Sequence, residues 1–393
     1  MGAQSESRVV PNPSEPSIIR GGPFYRIQRV TQLIRSDQWN NGRRIAFAVI
    51  LGWLPLALLT IFFNLHGLAS LLRDYRVASR VLIAVPVLLL GQPFMDSRFR
   101  LAVSQVIAAD LLAAPDVARM RDAIAKLVRL RDSALPELAI LLLLIVHTAF
   151  AEKRQVDATP WLAHGTGDAT QLTPAGWYAV VVSAPLFEFL LGLGVWKWLL
   201  WTFFAYKLSR LNLRLVPTHP DGHGGLGFLG LTPVAFTPVV FAATCAIGST
   251  WRHEILAGRA NLNTYKLPAI ILLVIIALFA LGPLAFFVPR LAALRRQGIL
   301  EYGILGQLHS TDFHNRWILS RAGQDADFLT APDSSTLYHF GQAYETLKRL
   351  RPLPTDRGAF WALAISAAVP MLPVILAVIP LKIVLEALLK ALR

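Results

Sequence analysis

Glu188 stands near the centre of a long apolar run, residues 177–206, and is a candidate for ion or proton chemistry. An ionised side chain at the bilayer centre costs about 3 kcal/mol on insertion scales, so such a group needs a partner, a proton or a function. The alternative is a protonated Glu188 that is hydrogen-bonded to a neighbouring helix. Aromatic residues that favour membrane interfaces flank the carboxylate and would place it near the midplane: Trp177, Tyr178, Trp196 and Trp198.

Pro185 precedes Glu188 by three residues, and Gly192 and Gly194 follow it. A proline removes a backbone hydrogen bond and kinks a helix, and discontinuous helices line many ion paths. We therefore expect a kinked or interrupted helix around the carboxylate. His147, at the outer end of another apolar run, could approach this helix.

A second group of candidate residues lies in the turn P-T-H-P-D-G-H-G-G-L-G, residues 217–227. His219, Asp221 and His223 alternate there, and two imidazoles with a carboxylate suit Zn²⁺ or a similar divalent metal. A second set of the same residue types follows on the same expected side of the membrane: His309, Asp312 and His314.

Two other interpretations of this turn stay open. Pro-Asp-Gly is a common turn sequence, and Gly224 and Gly225 would let the backbone re-enter the membrane tightly, as a structural joint. The glycine-rich backbone could instead bind a phosphate or a lipid headgroup through its N–H groups. The sequence alone does not choose between these and a metal site.

Motifs of the common enzyme classes are missing from the sequence. It contains no G-x-x-x-x-G-K-[ST], G-x-S-x-G, H-E-x-x-H or C-x-x-C. We therefore assign no catalytic residue, and the sequence favours a protein that is not an enzyme.

The composition indicates an all-α membrane protein. Apolar residues make up 54% of the 393 positions and charged residues 16%, against about 25% charged in soluble domains. Four uncharged runs each exceed the length that a transmembrane helix needs: 45–72, 222–251, 267–289 and 358–381. A nucleic-acid partner would require a clustered basic face and a recognisable module, and the sequence indicates neither.

Six to eight transmembrane helices are expected, with cytoplasmic amphipathic helices between them. The predicted spans are 45–63, 81–95, 133–151, 177–198, 227–249, 267–288 and 358–381. They define a basic N-terminal segment (1–44), a transmembrane hairpin (45–95), amphipathic helices (96–132), a four-helix core (133–288), a cytoplasmic segment (289–357) and a C-terminal part (358–393). That last part is either a membrane helix or a re-entrant hairpin.

Two Thr-Pro steps, Thr232-Pro233 and Thr237-Pro238, fall in the fifth predicted span. Two prolines this close predict a distorted helix, in which threonine hydroxyls bond to the carbonyls that the prolines leave free.

The net charge of +14 is a topology signal. With the N-terminus in the cytoplasm, the inside segments hold 26 Lys and Arg and the outside segments hold 8. This bias also predicts that the short run 81–95 crosses the membrane. Ahead of the first span, apolar residues from Phe24 to Ile34 fall on one helical face, which predicts a helix that lies either on the membrane surface or on the protein itself.

Residues 210–230, R-L-N-L-R-L-V-P-T-H-P-D-G-H-G-G-L-G-F-L-G, resemble a stretch of a set of bacterial multi-pass membrane proteins of unknown function. The shared part is His219-Pro220-Asp221, the Gly224-Gly225 pair and the four residues 226–229. The resemblance covers about 20 residues and implies a bacterial inner-membrane location, without implying an activity. Because the pattern does not fix His223, it leaves His219 and Asp221 as the pair of interest.

The leading functional hypothesis is a transport-related protein, a channel or a carrier, with Glu188 in its path and residues 219–227 at its cytoplasmic gate. One alternative is a membrane enzyme with a metal site that acts on a lipid-linked substrate. Another is a sensor or scaffold without catalysis. The expected partners are the lipid bilayer, with a small ion or lipid-linked ligand, and a homo-oligomer stays open.

Overall fold

The structure is a computed structural model that describes residues 17, 19–35, 39–151, 159–164, 171–319 and 332–378. Helices form nearly all of its regular structure, which confirms the predicted all-α class. The described residues contain one pair of short antiparallel strands, β1 (Ala163–His164) and β2 (Gln171–Leu172).

The α-helices follow one another with short connections. They are α1 (Pro23–Val30), α2 (Asn41–Phe63), α3 (Leu68–Arg73), α4 (Tyr75–Ala78), α5 (Val85–Ala108), α6 (Ala114–Asp132), α7 (Leu135–Ala151), α8 (Pro174–Tyr178), α9 (Ala184–Ser209), α10 (Thr237–Leu256), α11 (Lys266–Ala285), α12 (Val288–Phe313), α13 (Pro332–Lys348), α14 (Arg357–Ala368) and α15 (Leu372–Leu376). π-Helical turns occupy Ser79–Ala84, Ala179–Ser183 and His314–Leu319, and 3-10 turns occupy Leu65–Gly67, Gly227–Phe236, Leu262–Tyr265 and Val369–Met371.

Six continuous helical stretches have the length and composition to cross a membrane. They are Asn41–Phe63, Tyr75–Ala108, Pro174–Ser209, Gly227–Leu256, Leu262–Ala285 and Arg357–Leu376. α6 and α7 together pass the same criteria as a seventh, bent by 41° between them. Apolar side chains are exposed along these helices, as contact with lipid requires.

The second of these stretches is much longer than the sequence predicts. The run 81–95 lies within a helix of 34 residues, because the chain stays helical from Tyr75 to Ala108. Its far end is buried among other helices, with Phe99 and Val103 inside the main core. Burial against protein therefore continues the helix beyond the apolar run.

The α2–α5 and α9–α10 pairs run antiparallel and approach closely at glycines. A Cβ at Gly52 of α2 would lie 2.9 Å from Val81, and one at Gly194 of α9 would lie 2.8 Å from Val239. Stacked and tilted aromatic rings fill the core beyond these crossings. The Phe99 and Trp201 rings are 4.4 Å apart and parallel.

The fifth predicted span begins with a distorted helix, as its two Thr-Pro steps predict. Gly227–Phe236 is a 3-10 helix of 10 residues, and α10 starts directly after it. The Thr232 hydroxyl donates to the Leu229 carbonyl at 2.7 Å, and the Thr237 hydroxyl donates to Val234 at 2.9 Å. The threonines thus satisfy carbonyls in the distorted part, as expected.

The C-terminal helices advance along α10 in the same direction. Gly230, near the start of the 3-10 helix, lies against the backbone of Asp356, whereas Gly248 lies against Pro370 and Val374. The chain therefore does not turn back before Leu376. Residues 379–393, where a re-entrant hairpin would return, lie outside the described residues.

The helix predicted ahead of the first span packs on the protein itself, one of its two expected placements. The Phe24 N–H donates to Glu137 of α7 at 2.8 Å, and Gln28 and Ile34 are buried in the protein. Ile27 and Val30 remain exposed on the outer side of α1. α1 is thus packed on the protein and leaves a short apolar strip exposed.

Gly91→Ala is expected to destabilise the bundle by about 1–3 kcal/mol, because the added methyl would lie 2.5 Å from Pro238. Gly282→Ala on α11 is the matched control, since its methyl would meet nothing within 4 Å. Alanine favours helix there by about 1 kcal/mol. Thermal unfolding of both variants in detergent measures the difference, and equal midpoints would contradict the close approach of α5 and α10.

Candidate functional site

The turn at residues 217–227 joins α9 to the 3-10 helix at one end of the bundle, which we call the loop end. Three of its glycines adopt backbone conformations with positive φ, which glycine accepts most readily. They are Gly222, Gly224 and Gly225, with φ of +66°, +65° and +98°. A tight, glycine-dependent turn therefore surrounds the Asp221 side chain.

Asp221 binds the backbone of its own turn. Its Oδ1 accepts the N–H of His223 at 2.8 Å and that of Gly225 at 3.1 Å. Its Oδ2 accepts the N–H of Gly227 at 2.7 Å, which caps the start of the 3-10 helix. The His219 Nδ1 lies 2.9 Å from Oδ1. The carboxylate therefore occupies the place that an anion would take among these N–H groups.

These hydrogen bonds set the charge of Asp221. Burial raises the pKa of this carboxyl. The three backbone N–H groups and His219 together lower the pKa by more than burial raises it, so the net shift is downward. Because the pKa is lowered, the carboxylate stabilises the folded turn at pH values above the ordinary pKa of aspartate. This stabilisation is lost as the pH falls through the lowered pKa.

The His223 ring is buried and points away from Asp221. Its Nδ1 donates to the Gly222 carbonyl at 2.7 Å. Burial lowers the pKa of this ring; Asp221 opposes the shift and Arg351 adds to it. The neutral ring thus contributes stability above its ordinary pKa of 6.5, which is lost as the pH falls through the lowered value.

The six residues considered for a metal do not converge. His219 and Asp221 are paired, but His309 lies on α12 and is separated from this turn. Tyr302 of α12 lies 3.5 Å from Thr218 at the edge of the turn, and His309 is about 10 Å further along the helix. Asp312 and His314 lie further still. Across the described ranges, no three His, Cys, Asp or Glu side chains form a group that could hold a metal ion.

Glu188 contacts α7. Its Oε2 lies 3.2 Å from His147 Nδ1, which confirms the expected approach of that histidine. The Glu188 side chain is 25% exposed and that of His147 is 55% exposed, so the pair lies at the outer edge of the bundle. The carboxylate therefore has a polar partner near the outer surface.

The helix that carries Glu188 is continuous, unlike the interrupted helix that Pro185 and its glycines predict. Pro185 follows the π-helical turn Ala179–Ser183, whose wider hydrogen-bond pattern accommodates the missing N–H. Gly192 packs against Ile140 and Gly194 against Val239, so these glycines serve close helix contacts. Pro185 lines an apolar groove of about 620 Å³ between α7 and α9.

We call the other end of the bundle the strand end, because it holds β1 and β2. Near it lie ionisable residues that were not among the candidates from the sequence. Asp74 is buried and accepts from Arg76 at 3.1 Å and from the Trp161 ring at 3.1 Å. Arg80 donates to Thr250 at 3.2 Å and lies within electrostatic range of Glu188. These residues, the strand-end cluster, border a cavity of about 160 Å³.

A second group, the loop-end cluster, lies where α2, α5 and α9 approach the loop end. The Arg44 guanidinium is only 2% exposed and donates to the side-chain carbonyls of Gln28 and Gln92. Lys197 of α9 lies in the field of Asp96 and Glu137. Gln28, Gln92, Glu137 and Lys197 line a small, partly enclosed cavity of about 20 Å³, which is large enough for one water molecule.

Buried apolar side chains separate the two clusters. Arg80 and Gln92 are twelve residues apart on one helix, a rise of about 18 Å. On one side of this helix the side chains between them are almost fully buried, and α9 adds two more: Ala84, Val85, Leu88, Leu89, Phe187 and Leu190. We call this the apolar layer.

Sequence reasoning missed these clusters because their members sit at the ends of apolar runs. Arg80 immediately precedes the predicted run 81–95, and Asp96 immediately follows it, so both resemble loop charges. Lys197 lies between two tryptophans that resemble an interface. The only signal was their closeness to apolar residues.

Comparison with protein-family models, with curated proteins and with solved structures gave no match. The resemblance of residues 210–230 therefore stays an expectation.

Asp221→Asn is expected to lower the free energy of unfolding by about 1–3 kcal/mol, because the neutral amide cannot accept all the N–H groups that the carboxylate binds. Asp312→Asn on the exposed face of α12 is the control and should leave stability unchanged. Thermal unfolding in detergent at pH 7.5 measures both variants. An unchanged midpoint for Asp221→Asn would show that the carboxylate does not stabilise the turn.

Proposed function

We propose that this protein is a transport-related membrane protein, a gated channel or a carrier for a small ion. The observation that carries the proposal is the pair of ionisable clusters inside the spans, one on each side of the apolar layer. Ionisable side chains within membrane spans are expensive to bury and commonly mark ion or substrate paths.

An apolar layer between two polar cavities favours a gated path rather than an open pore. Apolar constrictions close pores by excluding water. The cavity at the strand-end cluster is larger, about 160 Å³, and the one at the loop-end cluster is smaller and less open, about 20 Å³. The ion would therefore enter from the strand end in the conformation described here.

Two π-helical turns lie beside the larger cavity and support the same proposal. Ser79–Ala84 contributes Arg80 to it, and Ala179–Ser183 contributes Ser183. π-Helical turns are rare and are frequent at functional sites. Glu188, which contacts His147 at 3.2 Å at the outer edge of the bundle, adds a proton-accepting group at the level of the apolar layer.

The loop end faces the cytoplasm in this proposal, and the membrane is the bacterial inner membrane that the resemblance implies. At this end α1 contacts α6, α6 contacts Asn212 ahead of the turn at 217–227, and the turn contacts α12. Segments 1–44, 96–133, 207–226 and 289–357 hold 26 of the 38 Lys and Arg. Positive residues favour the cytoplasmic side.

The placement is tested by labelling Gly341→Cys on α13 with a membrane-impermeant maleimide. Labelling only after cell disruption would support a cytoplasmic loop end, and labelling in intact cells would place the loop end outside.

Glu188→Gln is expected to abolish pH- or voltage-dependent ion flux in proteoliposomes while it leaves expression and folding intact, because the amide cannot take up the charge or the proton. Lys197→Met should reduce flux as well, since it removes the ionisable group on the other side of the apolar layer. Flux is measured with proton- and potential-sensitive dyes under imposed pH and K⁺ gradients.

Glu301→Gln is the matched control, since this exposed carboxylate of α12 bonds to Gln297 far from either cluster. Wild-type flux in Glu188→Gln would remove Glu188 from the mechanism. No flux of protons, monovalent cations or chloride in the wild type would contradict the transport proposal as a whole.

A further inference from the structure

An apolar groove runs along the outer side of the bundle between α11 and α14. Its volume is about 410 Å³, and it opens sideways where the spans would face lipid. Apolar side chains from both helices line it: Leu273, Ile276, Ala280, Phe360, Leu363 and Ala367. We call this the α11–α14 groove.

Three arginines surround the groove's loop end. Arg349, Arg351 and Arg357 border an open polar cavity of about 560 Å³, which the turn at 219–227 closes on one side. All three are exposed, and none of their guanidinium groups has a hydrogen-bond or ion-pair partner in the part of the chain that the structure describes. The two carboxylates at this cavity, Asp221 and Asp356, already accept backbone N–H groups.

The groove and the polar cavity form one continuous site. Arg351, Thr355, Asp356 and Arg357 line both. An occupant that fills the whole site must therefore carry a negative group at the loop end and a hydrocarbon chain along the spans. A free phosphate would leave the groove empty, and an uncharged lipid would leave the arginines without a counter-charge.

We propose that the α11–α14 groove binds one anionic phospholipid of the bilayer, whose phosphate and headgroup lie among Arg349, Arg351 and Arg357. Arginine suits this role because its planar guanidinium forms paired hydrogen bonds with phosphate oxygens. Basic side chains at a membrane surface each contribute about 1 kcal/mol of attraction to anionic lipid.

The site also touches the turn that joins α9 to α10. The Arg351 N–H donates to the Gly222 carbonyl at 2.9 Å, and the His223 ring lies 3.5 Å from the Thr355 carbonyl. A bound lipid would thus rest against the turn that Asp221 holds together. This proposal is independent of transport and stands whether or not the protein carries an ion.

The test compares binding of phosphatidylglycerol and phosphatidylcholine to detergent-purified protein by native mass spectrometry. Wild type should retain one phosphatidylglycerol in preference to phosphatidylcholine. The variant Arg349→Gln/Arg351→Gln/Arg357→Gln should lose this affinity by on the order of a hundredfold, as three such contacts imply. Ala364→Trp, which fills the groove and keeps all three arginines, should lose it too.

The matched control removes the same charge elsewhere, as Arg43→Gln/Arg121→Gln/Arg129→Gln, three exposed arginines that do not line the groove. It should bind like wild type. If the groove variant is not monodisperse, Arg357→Gln alone replaces it.

Three results would overturn the proposal. One is equal loss in the two triple variants, and another is equal binding of inorganic phosphate and of phosphatidylglycerol. The third is a dimer that Ala364→Trp dissociates, since a second copy would then fill the groove.

Discussion

The free-energy cost of burying charge among apolar helices determines how this bundle is held together. Arg44 is almost fully buried, and its partners come from α1 and α5, so one guanidinium ties three segments to each other. Removing either glutamine would leave a buried donor unsatisfied, which is more destabilising than the loss of an exposed contact. Helix α1 is therefore part of the core at the loop end, although its sequence resembles that of a surface helix.

The Asp221 carboxylate likewise satisfies polar groups that would otherwise lack partners, in this case backbone N–H groups of its own turn. The turn at 217–227 points several N–H groups inward, as phosphate-binding loops do, and a carboxylate from the turn itself receives them. This explains why the histidines, the aspartate and the glycines occur together without a metal group forming across the described residues. The glycines permit the backbone path, and the carboxylate holds it in place.

The all-α class, the spans and the approach of His147 to Glu188 could be predicted, because apolar runs and the polar residues within them carry a strong signal. The charges at the ends of the runs could not, since a helix that protein covers continues beyond its apolar part. Arg80, Asp96 and Arg44 all lie in such extensions. The meeting of Arg351 with Gly222 depends on the path of residues 289–357, which local sequence does not specify.

The two ends of the bundle differ in the hydrogen bonds and helical turns that form them, and this bears on how the proposed path could open. At the loop end, Arg44 and its glutamines join α1, α2 and α5 through buried hydrogen bonds, and Asp221 closes the turn that follows α9. At the strand end, two π-helical turns adjoin a cavity of about 160 Å³, and the Arg80 Nε is buried without a hydrogen-bond partner among the described residues. π-Helical turns can shift to α-helical pairing with a small rotation, whereas a buried guanidinium network must break to move. In the transport cycle proposed above, the strand end would therefore move first, and the apolar layer would open from Ala84 toward Leu88.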